Sequence, residues 1–375
     1  MKNRILLGMS MLVAATMMMA CGSDDAADDS SGEVTITLSQ QDVAATAEGG
    51  TFTVHVTCTG REWTAFTSDD WMRVSVSGST AQTGTVTITV NANNGEARTG
   101  VVTVKSGLVR EVITVAQAAV VVVPIDDEDI EAPEGYRLVW HDEFDEGTTL
   151  GGDWTHEVQN AYWVNNELQN YRSGTADGQR VTELVNGELH INCFRGSDGK
   201  IYSGRVYAKV NTGWKYGYFE ARIQLPQGKG TWPAFWMMPV NNNFATNPWP
   251  GCGEIDIMEE VGADPGDVSA TIHCNKYNNG GTSVEHGGTH FSDAESAFHV
   301  YACEWTADEI RFLFDGRQVL RYRNDGSGKD AWPFNVAFYP ILNLAWGGDW
   351  GGYKGVDESA LPCALRVDYV RVFQK

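Results

Sequence analysis

Glu254, Asp256 and Glu259 crowd into one short run, Gly253-Glu254-Ile255-Asp256-Ile257-Met258-Glu259-Glu260. Side chains of an extended strand alternate between its faces, so Glu254, Asp256 and residue 258 share one face and residue 259 takes the other. That register sets Met258 among acids. One extra residue, a β-bulge, resets the alternation and brings Glu254, Asp256 and Glu259 to the same face. Like charges so close repel, so at least one carboxyl must titrate above its ordinary value. A carboxylic acid held protonated beside an ionised carboxylate is the pair that glycoside cleavage requires. The same run also reads as a solvated acidic strand on an acidic protein, and the octapeptide alone leaves both readings open.

The elements that would hold this run are strands. From Tyr136 to Lys375 helical periodicity is almost absent, and strand-like runs recur at 218–223, 310–314 and 366–372 with Gly-rich turns between them. A large antiparallel sandwich is expected. A separate period-two pattern covers 34–118. Phe52, Val54, Val56 and Cys58 share a face, as do Val86, Ile88 and Val90, and turn signals such as Asn93-Asn94-Gly95 separate the strands. This predicts a small β-sandwich domain. The acidic, Pro-terminated stretch 119–135 reads as a linker, which leaves 136–375 as the second domain. The fold class is therefore all-β, in two unequal sandwiches.

Composition narrows the partners. The net charge of −22 repels phosphate backbones and anionic headgroups, so nucleic acid is not an expected partner. All the tryptophans except Trp63 and Trp71 lie at or after Trp140. Such an aromatic load suits both a carbohydrate-facing protein and a Trp-rich core. The seven cysteines form no CxxC pair and read mainly as small buried residues. A disulfide among them stays open, and sequence does not pair them.

The chain begins with an address. Lys2 and Arg4 precede an apolar run, 5–20, that ends in Ala20-Cys21-Gly22. The run is short for a membrane span and reads as a signal peptide over 1–20. It resembles a bacterial lipoprotein signal, with Cys21 as the lipidated residue and Met18 in place of the usual Leu. The acidic stretch 21–33 reads as a tether and resembles the export tags of some surface lipoproteins. An outer-membrane lipoprotein exposed at the cell surface is expected, touching membrane only through its lipid. Oligomeric state is left open, with a monomer as the working expectation.

Two families are resembled. In 34–118, Trp63, Ser68-Asp69-Asp70-Trp71, Val74-Ser75, Asn91-Ala92-Asn93, Arg98-Thr99-Gly100 and Thr114-Val115-Ala116-Gln117 resemble a BACON domain, a small immunoglobulin-like module. A spacer and a glycan-binding role both stand for it, the spacer favoured because no aromatic platform can be picked out. In 136–375, the segments 138–145, 165–171, 203–205, 216–222, 230–237, 253–259, 298–305, 342–348 and 367–372 resemble, in order, glycoside hydrolase family 16. The resemblance implies a jelly-roll sandwich with an open cleft.

It also implies roles. Glu254 matches the nucleophile, Glu259 the general acid/base and Asp256 the acid between them, for a double displacement that retains configuration. Such enzymes separate their two carboxyls by about 5–5.5 Å. Glu260 is read as a bystander outside the cleft. Asn166 matches a sugar-binding position, Arg205 a binding or structural one. Trp232 and Trp236 read as cleft aromatics or as core. His273 reads as an active-site or a buried structural histidine. No cofactor is expected for catalysis. The resemblance implies one structural Ca²⁺ held by Glu143, the Gly187 carbonyl and Asp368, positions that by themselves also read as surface acids near strand ends. The inserted Met258 resembles the bulged branch of the family, and the segments around it look most like laminarinases. An endo-β-1,3-glucanase acting on a β-glycan polysaccharide is implied, with mixed β-1,3/1,4-glucan as a further substrate. An endo-β-galactosidase on O-glycans or a galactan is the runner-up, and a non-catalytic glycan-binding surface protein the reading from a different class.

Overall fold

The computed structural model describes residues 34–60, 62–80, 82–93, 95–120, 122–277 and 285–375. The signal peptide, Cys21 and the acidic tether lie outside these residues. The chain forms two compact units that divide between Val123 and Pro124. Among the described residues no helix is long and apolar enough to cross a membrane.

The first unit is a sandwich of two four-stranded sheets. One runs in the order Ile36–Leu38, Gly50–Cys58, Thr83–Val90, Met72–Ser77, and the other Asp42–Ala45, Val109–Gln117, Arg98–Ser106, Thr64–Phe66. Period-two alternation sends Val54, Val56, Cys58, Val86, Ile88, Val102, Val104, Ile113 and Val115 into a shared core around Trp63. Trp71 stays half-buried under the Arg98 guanidinium, 4.5 Å from its ring.

In the second unit a ten-stranded and a seven-stranded sheet pack face to face. The seven-stranded sheet carries the acid-rich run. Its order is Trp154–His156, Arg205–Ala208, Phe338–Trp346, Thr231–Pro239, Glu254–Glu259, Asp267–His273, Glu285–His290. The core between the sheets takes Val206, Phe235, Met237, Ile255, Ile257, Met258, Val268, Ala270, Ile272, Leu342, Leu344 and Trp346 from this sheet. These are alternate residues on each strand except at Ile257 and Met258, which are consecutive and both buried.

The expected linker differs from the observed one. Pro124 and the residues after it belong with the second unit. Ile130 is buried, the Ile125 N–H donates to Asp145, and Asp127 pairs with His141 Nε2 at 2.9 Å. Composition identified the acidic character of this stretch but not the apolar anchor within it.

Gly253 opens the acid-rich strand at φ +86, with Pro333 and Phe334 packed against it. A Cβ there would lie 2.9 Å from Pro333 Cγ. Gly253→Ala is expected to lower stability by about 1–3 kcal/mol, from left-handed backbone strain and displacement of those rings. The denaturant midpoint reads this, and an unchanged midpoint contradicts the packing described.

Candidate active site

The strand registers set out the open face of the seven-stranded sheet row by row. One row is Arg205, Asn343, Ala234, Glu259, Ser269; the next is Tyr207, Ile341, Trp236, Asp256, Thr271; beyond it Glu254 stands opposite His273. The three acids share this face because the strand is irregular. Asp256 pairs with Thr271 but Glu259 with Ser269, so three steps on one strand match two on the other. On the opposite side Trp236 faces Asp256 while Phe235 faces Met258. The extra residue turns both Ile257 and Met258 into the core, which is the bulge that the misplaced methionine predicts.

Asp256 and His273 are buried, while Glu254 keeps 17% of its side chain exposed. His273 Nε2 lies 3.1 Å from Asp256 Oδ2 and 3.9 Å from Glu254 Oε1, and Trp249 packs 5.6 Å from its ring. Trp232 Nε1–H donates to Glu259 Oε1 at 3.0 Å. Burial pushes all three carboxyls up. For Glu254 the Asp256 charge adds to burial and His273 opposes it. Asp256 rises through burial. Glu259 is pushed up to about 8 by burial and by Asp256, against the Trp232 hydrogen bond and His273. The cluster therefore carries fewer than three negative charges near neutrality.

The other expected residues fall around this centre. Trp236 donates from Nε1 to Asn343 Oδ1 at 2.7 Å, and the Arg205 guanidinium lies 4.6 Å from its ring. Arg205 also stacks on Trp163 and Tyr207, at 5.1 and 5.4 Å. Asn166, exposed at φ +52, donates from Nδ2 to Asp349 Oδ1 at 2.8 Å. Trp232 meets the edge of Trp350 at 5.4 Å, so its indole is braced on one side and bonded to Glu259 on the other. Glu260, expected outside the cleft, has a structural bond of its own. It is fully buried, pushed up to about 8 chiefly by that burial, and accepts the Gly266 N–H at 2.6 Å, which ties down the following turn.

The residues expected to hold calcium lie on or next to neighbouring strands. Registers bring Glu143 and Gly187 toward the strand that bears Asp368. Yet both Glu143 oxygens accept from Arg371 at 2.8 Å, and Asp368 Oδ2 accepts from Arg222 at 2.6 Å. Calcium takes six to eight oxygen ligands. In this arrangement the two acids that the resemblance assigns to the ion are paired with arginines. The arginines that claim the two acids are far away in sequence, or neutral to its motif, and gave no warning.

Sequence reasoning also missed residues that hold the site. Asn343 bonds Trp236 and donates from Nδ2 to Tyr171 Oη at 3.3 Å. Buried Glu167 accepts from Gln169 and Asn165, and Gln169 Oε1 accepts the Trp346 N–H. The polar residues at 165–170 and Asn343 within an apolar strand were the available signal.

A family model, Glycosyl hydrolases family 16, matches residues 174–370. This chain belongs to glycosyl hydrolase family 16. It is a glycoside hydrolase, and the three acids lie inside the matched span. A second model, BACON, matches residues 61–118. A beta-glucanase of Rhodothermus marinus is 40% identical over 256 residues, covering 66% of this chain and 88% of that protein. The glucan endo-1,3-beta-glucosidase A1 of Niallia circulans is 34% identical over 285 residues, covering 67% of this chain and 40% of that protein. Among solved structures, a non-specific endo-beta-1,3(4)-glucanase of family GH16, co-crystallized with 1,3-beta-D-cellotriosyl-glucose, is 38% identical at a TM-score of 0.60, covering 66% of this chain and 97% of that one. The all-β, jelly-roll expectation for the family 16 domain holds.

The Trp232–Glu259 bond yields a test. An N–H donor favours the ionised carboxylate, so removing it raises the Glu259 pKa further above its present value near 8. Trp232→Phe is expected to move the alkaline limb of kcat/KM upward in pH. An unmoved or lowered limb contradicts the assignment of this contact.

Proposed function

We propose that this family 16 enzyme is a retaining endo-β-1,3-glucanase that also accepts mixed β-1,3/1,4-glucan, and that it works by double displacement. Glu254 attacks the anomeric carbon, while Glu259 gives its proton to the departing glycosidic oxygen. Water then attacks the glycosyl-enzyme as Glu259 takes a proton back, and configuration is retained. Asp256, between them on the strand, keeps the cluster short of full ionisation, and His273 orients it. Trp236 and Arg205 provide a flat aromatic and cationic surface for sugar rings beside the acids. The observation that carries this reading is the bulge, which sets the partly exposed Glu254 and Glu259 on one face. The β-glucan substrate is supported by the glucanase names of the relatives.

Export and lipidation at Cys21 are part of the same proposal, supported by the 1–20 signal pattern. A surface lipoprotein meets a polysaccharide too large to enter the cell. Loss of fatty-acid labelling in Cys21→Ala is the expected outcome, and continued labelling contradicts the anchor.

Glu254→Gln is expected to fold normally and to lose about 10⁴-fold or more in kcat. Substantial residual activity rejects Glu254 as nucleophile. A general acid must be protonated to act, and Glu259 is protonated below about pH 8. Activity is therefore expected to fall as pH rises through about 8, and a rate that stays flat to pH 10 contradicts Glu259 as the acid. Product analysis on laminarin, barley β-glucan and mucin decides the substrate. Internal cleavage of laminarin is expected, and oligosaccharides from mucin alone overturn it.

A further inference from the structure

Cys193 and Cys363 are among the six cysteines of the described residues, and both are free thiols. The two face each other. Strand Glu188–Arg195 pairs antiparallel with Cys363–Gln374, and Cys193 stands directly opposite Cys363. Opposed residues of an antiparallel pair have Cα atoms about 4.5–5.5 Å apart and side chains on the same face. A disulfide spans Cα separations of about 4.4–6.8 Å. The Cys363 thiol is among the groups that raise the Cys193 pKa, after burial. The remaining cysteines in strands have other neighbours: Cys58 faces Ile36, and Cys303 lies between Phe219 and Phe312.

We propose that Cys193 and Cys363 form a dithiol that oxidises to a cross-strand disulfide, stapling the C-terminal strand to the strand beside it. The two differ in access. Cys193 is fully buried in the main core, whereas Cys363 packs at its edge and keeps part of its surface open. Cys363 is therefore the thiol that an external disulfide reaches first. Its thiolate attacks one sulfur of the oxidant, forming a mixed disulfide and expelling one thiolate. Cys193 then loses its proton and attacks the Cys363 sulfur, which expels the second thiolate. The two cysteines give up two electrons and two protons, and the oxidant leaves as two thiols. Burial raises the Cys193 thiol pKa well above the ordinary range, which keeps it from reacting first with solvent species; its position opposite Cys363 is what lets it resolve the mixed disulfide.

The staple joins strands of the ten-stranded sheet, whereas the acids lie on the seven-stranded one. Its effect falls on stability and not on turnover. It closes most of the second unit into a covalent loop, and long loops gain most from cross-linking.

The test uses the full chain, purified reduced and incubated with oxidised glutathione. Remaining thiols are then alkylated in denaturant and the peptides mapped without reduction. A linked Cys193–Cys363 peptide is expected. A Tm rise of about 5–10 °C, reversed by dithiothreitol, should accompany it. Cys363→Ser should show neither change and keep the parent's activity on laminarin. Recovery of both cysteines alkylated, linkage of either to a different cysteine, or a terminal glutathione adduct on Cys363 overturns the proposal.

Discussion

Three carboxyl groups on one face of a single strand, backed by an apolar core, cannot all be ionised together. That constraint organises the rest of the site. Repulsion between Glu254, Asp256 and Glu259 would normally push such a strand outward into water. Here Ile255, Ile257 and Met258 hold it against the core, so the electrostatic cost appears as raised pKa values instead of disorder. A protonated acid beside a carboxylate follows from where the groups are placed.

The surrounding side chains divide that shared charge. Trp232 donates to Glu259 and so limits how far its pKa climbs. His273 sits closer to Asp256 than to Glu254, which draws the central acid and the partly exposed one into a single cluster. Both contacts need backbone registers that only the whole sheet sets. The Thr231–Pro239 strand supplies the indole, and the Asp267–His273 strand the imidazole. A slip of one residue in either would exchange polar and apolar faces and remove both partners.

Much of this was legible in the chain because alternation is a local property. Met258 pointed to the bulge, since a methionine among acids suggests a register that breaks, although the octapeptide alone left a solvated acidic strand open. The two-sandwich organisation followed from period-two runs and Gly-rich turns. Pairings across long sequence separations were not legible. Nothing near Glu143 signals that Arg371 holds both its oxygens, and nothing near Cys193 points to Cys363. Trp232 and Trp236 read as cleft aromatics with core as the lesser reading, and the structure gives each a hydrogen bond that neither reading contained. Glu260 was read as lying outside the cleft, but its burial and its bond to Gly266 were not legible, because strand alternation tells which way a residue faces but not what covers it.

The central claim is that Glu254 becomes covalently bonded to sugar. A 2-deoxy-2-fluoro laminari-oligosaccharide with a reactive leaving group slows both chemical steps but spares the first, so the glycosyl-enzyme accumulates. Peptide mass spectrometry of the trapped protein should find the added sugar on Glu254 and on no other carboxylate. A label on Glu259 or Asp256, or none in a preparation that still turns over laminarin, would contradict the account.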